Sequence, residues 1–120
     1  MAANGMDIDN WTTQLRKGLL ELCIVNLLAQ GQMYGYDLVK RLAEIRGLVV
    51  TEGTIYPLLS RLRRAGLLET RLEESSSGPA RKYYHLTSAG RDARETMNRY
   101  WAELLRGVEA LQKEGEDGDE

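Results

Sequence analysis

Ile55, Leu58, Leu59 and Leu62 fall at spacings of three, one and three, which gathers them on one side of a helix. Thr54, Tyr56, Ser60, Arg61, Arg63 and Arg64 are left largely on the other side. Thr51 can cap this helix with its side-chain oxygen, and Gly66 stops it. Pro57 conflicts with that start, because its missing N–H falls just inside the first two turns. Either a mild kink or a start nearer Thr54 resolves the conflict.

Upstream, Leu15, Leu19, Leu22 and Leu28 or Ala29 form a stripe that predicts a first helix from about Thr12 to Ala29, with Trp11 just before it. Its apolar surface broadens at Cys23–Val25 and Leu27–Leu28, as expected for a central position or a partner subunit. Leu38, Leu42 and Ile45 mark a second helix that ends at Gly47. Leu48–Val50 is long enough only for a bridging strand. Downstream, Leu68–Glu73 and Lys82–Leu86 read as strands joined by turn-forming Glu74–Pro79. Thr87 then caps a last helix from Ser88 to about Lys113. Met97, Trp101, Leu104, Val108 and Leu111 step along it as a heptad seam, the expected dimer contact.

The 120 residues suit one domain with a modest core. The single cysteine, Cys23, excludes an intrachain disulfide and a cysteine metal cluster. No apolar run approaches the length of a membrane span, and no secretory signal opens the chain, so a cytoplasmic, non-membrane protein is expected. The net charge of −2 conceals an uneven distribution. Residues 114–120 carry five acidic side chains; the 13 others of the total of 18 face 16 basic ones, a net of +3 over residues 1–113. The acidic tail is expected to be disordered and solubilising. Arg61, Arg63, Arg64, Arg71, Arg81, Lys82, Arg91 and Arg94 cluster toward the middle, which makes the body compatible with DNA.

Three helices followed by a hairpin describe a winged helix-turn-helix, here mainly α with a β-hairpin wing and a C-terminal dimerisation helix. The expected divisions are a flexible N-terminus (1–10), a DNA-binding domain (11–87), a dimerisation helix (88–113) and the tail (114–120). In this arrangement the third helix enters the major groove and the wing lies on the backbone. Thr54, Tyr56, Ser60, Arg61 and Arg64 then face the DNA, Arg81, Lys82 and Ser75–Ser77 come from the wing, and Tyr36 or Lys40 could reach a phosphate.

Tyr34-Gly-Tyr-Asp-Leu38, Glu52-Gly-Thr-Ile-Tyr-Pro-Leu-Leu59, Arg61-Leu62, Gly66-Leu-Leu68 and Arg81-Lys-Tyr-Tyr-His-Leu-Thr-Ser-Ala-Gly90 together resemble the PadR-like transcriptional regulators. The resemblance covers roughly residues 12–112 and is closest to the branch with a short, single C-terminal helix. It implies a homodimeric bacterial repressor on a palindromic promoter site, released by a planar aromatic or phenolic effector. Trp101 falls where multidrug-responsive members stack flat ligands, with Leu15, Leu19 and Met97 as neighbours; the alternative is that Trp101 only packs the dimer seam.

His85 lacks partners at metal-ligand spacing, and no nucleophile accompanies Glu73, Glu74 or Asp92, so neither a metal, a cofactor nor an enzyme is expected. The competing function is a winged-helix protein-interaction module that does not bind DNA. Charge clustered in the middle of the chain disfavours it, because protein interface cores are depleted of charge.

Overall fold

The computed structural model describes residues 7–118, in the order α1 (Ile8–Leu28), β1 (Met33–Tyr34), α2 (Gly35–Ala43), α3 (Glu52–Arg64), β2 (Leu68–Ser75), β3 (Gly78–Leu86) and α4 (Ser88–Gly118). The core is drawn from every layer. Ile24 and Leu28 of α1, Leu38 and Leu42 of α2, Ile55 and Leu59 of α3 and Leu68 of β2 are all fully enclosed. Leu58, expected among the inward residues, is half-buried at the edge of this cluster.

α1 starts earlier than its apolar stripe predicts, because the Asp7 carboxylate accepts the Asn10 backbone N–H at 2.8 Å and caps it. Ile8–Asn10, expected to be flexible, are therefore helical, and Trp11 lies within α1. Residues 1–6 fall outside the described part. At the other end α4 runs on to Gly118, so the expected disordered tail is helical over residues 114–118. Glutamates are good helix formers, and no proline interrupts them. Residues 119–120 lie outside the described part.

Two further expectations change. Leu48–Val50 is no strand: Leu48 turns into the core while Val49 is exposed at φ 51°, a left-handed conformation strained for a β-branched residue. α2 accordingly ends at Ala43, and Ile45 is exposed. The strand that does exist there is β1, which pairs antiparallel with β3 through Met33–Tyr84 and Tyr34–Tyr83 and makes a three-stranded sheet of order β1-β3-β2. Two residues carry too little periodicity to announce a strand. The wing is also longer than predicted, and β2 and β3 pair out to Ser75 and Gly78. An irregularity between Glu73 and Ser75 sets Pro79 and Ala80 opposite Glu74, where the missing proline N–H is tolerated.

α3 begins at Thr51, whose hydroxyl oxygen accepts the Thr54 N–H at 3.3 Å, so Pro57 sits inside the helix. The helix closes on paired bonds, Leu67 N–H to the Leu62 carbonyl at 3.0 Å and Gly66 N–H to the Arg63 carbonyl at 2.9 Å, with Gly66 at φ 82°. This is the Schellman arrangement, which calls for a left-handed residue after the cap. The same turn receives α4. Thr87 donates its hydroxyl to the Gly66 carbonyl at 2.7 Å and its N–H to the Leu67 carbonyl at 3.0 Å, while its oxygen accepts the Gly90 N–H at 3.0 Å. A Cβ on Gly90 would stand 2.2 Å from the Leu67 carbonyl oxygen.

Farther along, α4 is tied to α1 by a reciprocal amide pair, Asn26 with Asn98, at 2.9 Å in both directions. Arg94 Nε adds a third bond, to Asn26 Oδ1 at 2.7 Å. Beyond it the helix leaves the body, which gives the molecule extents of 63 × 32 × 22 Å. Gly90→Ala should force the start of α4 off the α3–β2 turn and lower unfolding free energy by about 2 kcal/mol. A denaturant titration with an unchanged midpoint would contradict this docking.

Candidate nucleic-acid interface

With Ile55, Leu59 and Leu62 buried, 100° of rotation per residue leaves Gly53, Pro57, Ser60 and Arg64 opposite them, all exposed. Pro57 thus occupies the outermost face, where the unpaired Gly53 carbonyl meets water. Ser60 and Arg64 are the expected site residues that point most directly outward. Arg64 has no ion-pair partner among the described residues.

Thr54 and Arg61 lie on the flank toward α1. The Thr54 hydroxyl is 3.0 Å from that of Thr51 and belongs to the helix cap. Arg61 Nη2 donates to Glu21 Oε1 of α1, so its charge is already matched in the protein alone. Only a structure could reveal this pairing, since 40 residues separate the two. The groove between α1 and α3, about 420 Å³, is lined by Lys17, Glu21, Thr54, Arg61 and Arg64 among others.

Tyr56 occupies the opposite flank. Its ring closes over the start of α2: a Cβ built on Gly35 would lie 3.2 Å from Tyr56 Cε1 and 3.3 Å from Tyr84 Cε2. Burial, then the Glu52 carboxylate and the Tyr84 and Tyr34 phenols, push the Tyr56 phenol above its ordinary value. It therefore stays protonated and able to donate. Tyr56 combines a packing role with a polar tip, whereas sequence spacing assigned it to the outer face alone.

Beside it the start of α2 and the wing build an aromatic and cationic patch. Tyr34 lies 6.4 Å from Tyr36 and 5.9 Å from Tyr83, ring centre to ring centre. The Arg81 guanidinium sits 5.0 Å above Tyr34, and Lys40 Nζ 5.5 Å above Tyr36. Both distances suit cation–π attraction and hold the two cations at the surface. Lys82 is exposed on β3 opposite Leu72. Tyr83 and Tyr84 point to opposite faces, and Tyr84 enters the core.

Not every basic residue is available in this way. Arg71 Nη2 bonds Glu73 Oε1 at 2.6 Å and Gln32 Oε1 at 2.8 Å, and Gln32 Nε2 bonds the same glutamate oxygen at 3.0 Å. The bonds from Gln32 and Arg71 hold the Glu73 carboxyl below its usual range. His85 faces Glu69 across the strands at 3.1 Å. Among the described residues no three metal-binding side chains gather. Burial pushes the Cys23 thiol up, toward its unreactive protonated form.

A second site lies between α1 and α4. Leu15, Leu19, Met97 and Trp101, expected as neighbours, all line one apolar cavity of about 460 Å³, joined by Gly18, Leu22, Thr96, Tyr100 and Leu104. This volume falls in the range of small-molecule sites. Tyr100 was not expected here; it stands one residue off the heptad positions, borders the cavity and is largely exposed. Farther out on α4, Leu104, Val108 and Leu111 are 48%, 44% and 68% exposed in the isolated chain, although they are apolar. Ile8, Trp11 and Leu15 form a similar exposed stripe on α1. No described helix is long and apolar enough to cross a membrane.

The arrangement has close counterparts. A PadR-like transcriptional regulator from Bacillus cereus superposes with a TM-score of 0.74 at 41% identity, over 82% of this chain and 95% of its own. A PadR family regulator from Eggerthella lenta gives 0.77 at 32% identity, over 92% and 96%. A transcriptional regulator of Mycobacterium tuberculosis is 34% identical over 95 residues, which is 79% of this chain and 87% of that protein. The model of the transcriptional regulator PadR-like family matches residues 24–96, a span that includes both the α3 helix and the wing. The chain belongs to the PadR-like family of transcriptional regulators, a family of DNA-directed regulators and not of enzymes.

Proposed function

We propose that the chain is a homodimeric repressor that binds a palindromic promoter site through α3 and the wing, and that a planar aromatic or phenolic effector releases it. The observation that carries the DNA contact is the layout of charge. Arg64, Lys40, Arg81 and Lys82 are exposed and without carboxylate partners among the described residues, on α3, the last turn of α2 and the wing. These three elements are the ones a winged helix lays against a duplex. Ser60 and Arg64 would address base edges, and Lys40, Arg81, Lys82 and the Tyr56 phenol would address phosphates. The start of α2 adds backbone N–H groups, which favour an anion.

The dimer is supported by apolar surface that the isolated chain leaves in water. Leu104, Val108 and Leu111 of α4 and Ile8 and Trp11 of α1 are too many for a monomer helix to expose without cost. Two-fold pairing of α4 would bury them and set two α3 helices against successive major grooves, about 34 Å apart. Release by a flat ligand is supported by the cavity beside Trp101 and Tyr100, whose rings offer stacking surfaces next to the proposed seam.

A duplex covering the promoter of the chain's own gene should bind with strong salt dependence. With six or more phosphates neutralised by the dimer, affinity falls about a thousandfold between 50 and 200 mM salt. Arg64→Ala should weaken binding by about 1–3 kcal/mol, and Tyr56→Phe should weaken it without unfolding the chain. Absence of salt-dependent binding would favour the protein-interaction module instead.

Leu104→Glu with Val108→Glu should give a monomer in sedimentation; a variant that still sediments as a dimer would refute the seam. With Trp11→Phe leaving Trp101 as the single indole, a flat tricyclic dye such as proflavine should quench its emission. Unchanged emission at saturating dye would count against an effector at this cavity.

A further inference from the structure

We propose that Glu21 is a positioning residue that sets the sequence discrimination of the reading face by neutralising Arg61; this rests on the DNA-binding reading above. Glu21 contributes the one carboxylate to the lining of the α1–α3 groove, against the cations of Lys17, Arg61 and Arg64. Its side chain is 25% exposed and that of Arg61 is 56% exposed, so the carboxylate stands behind and the guanidinium in front.

This order treats the two kinds of DNA contact differently. A phosphate oxygen is drawn by charge, and the charge of Arg61 is matched by Glu21. A phosphate brought to this guanidinium also comes within a few ångströms of the carboxylate, which repels it. A guanine edge offers neutral acceptors, O6 and N7, and asks only for two N–H groups. Arginine has five, and the bond to Glu21 occupies one side of the fork. The pair therefore penalises binding to arbitrary backbone while leaving base recognition open. Non-specific affinity comes almost wholly from phosphates, so lowering it widens the gap between operator and bulk DNA.

The test is Glu21→Gln, which keeps the shape and removes the charge, titrated with a mixed-sequence 30-base-pair duplex at several salt concentrations. The freed guanidinium should gain one phosphate, steepening the salt slope by about 0.9 and tightening binding about eightfold at 0.1 M salt for each protomer that contacts the duplex. A duplex selected by the wild-type protein from a random library should gain less, so the specificity ratio falls. Glu21→Met gives the same slope change and covers loss of folding in the first variant. In an Arg61→Ala background Glu21→Gln should leave the slope where it was. Wild-type protein that fails to bind any duplex would overturn the DNA-binding reading itself. If wild type binds, the proposal alone is overturned by an unchanged slope, by weaker binding of the variant, by an unchanged specificity ratio, or by an equal slope gain without Arg61.

Discussion

The turn at Gly66–Leu67 is the joint on which the rest of the structure depends. Three elements end or begin on it: α3 closes there, β2 leaves it, and α4 docks on it through Thr87 and Gly90. Each bond has a small net value, about 1 kcal/mol. Their effect is geometric: the Gly66 and Leu67 N–H groups take the Arg63 and Leu62 carbonyls that the end of the helix would otherwise leave unsatisfied, and Thr87 takes the carbonyls of the turn itself. The Leu67 carbonyl accepts the Thr87 N–H and also abuts Gly90, so no side chain can intervene. The angle between α3, the wing and the long C-terminal helix is thereby set by backbone atoms together with the single short hydroxyl of Thr87.

Charge in this chain is informative only after its internal pairings are subtracted. Arg61 is matched by Glu21, Arg71 by Glu73, and Arg41 by Glu44 at 3.1 Å. Exposed pairs of this kind contribute little to stability, from about zero to 1 kcal/mol. Their consequence lies in what they withdraw from the surface. Among the cations that have no carboxylate partner among the described residues, Lys40, Arg64, Arg81 and Lys82 come from three elements far apart in sequence and adjacent in the fold. Two of them rest on tyrosine faces, which position a cation without neutralising it.

Much of this was legible in the sequence where a physical period or a cap was strong. The apolar stripe of α3, the Thr51 and Thr87 caps and the Gly66 stop all speak through local rules, and the helices begin and end on them. The motifs around Tyr34, Glu52 and Arg81 carried the family. What stayed hidden needed partners distant in sequence. β1 exists only because Tyr83 and Tyr84 offer an edge to pair with. Val49 is left-handed because Leu48 must enter the core between two helices, and an apolar triplet looks the same in a strand. Arg61 and Tyr56 were assigned outward from rotation alone, although neighbours on α1 and α2 claim part of each.

α1 gains its significance from carrying three unlike contacts on one rod. Leu15, Leu19 and Leu22 face the cavity beside Trp101, Glu21 holds Arg61 of α3, and Asn26 is clasped by Asn98 and Arg94 of α4. A helix transmits displacement along its length with little deformation, because hydrogen bonds between successive turns hold its backbone together. Occupation of the cavity could therefore reach α3 by two routes: the shared helix, or the docking of α4 on the Gly66–Leu67 turn. The second route is stiff, since backbone contacts leave it no slack. The first passes through a partly exposed ion pair that can lengthen at small cost. On the reading proposed here, effector and DNA would be coupled through α1 by no more than about 1 kcal/mol, the value of that exposed pair. The same ion pair that restrains Arg61 would then be the point at which the two sites meet.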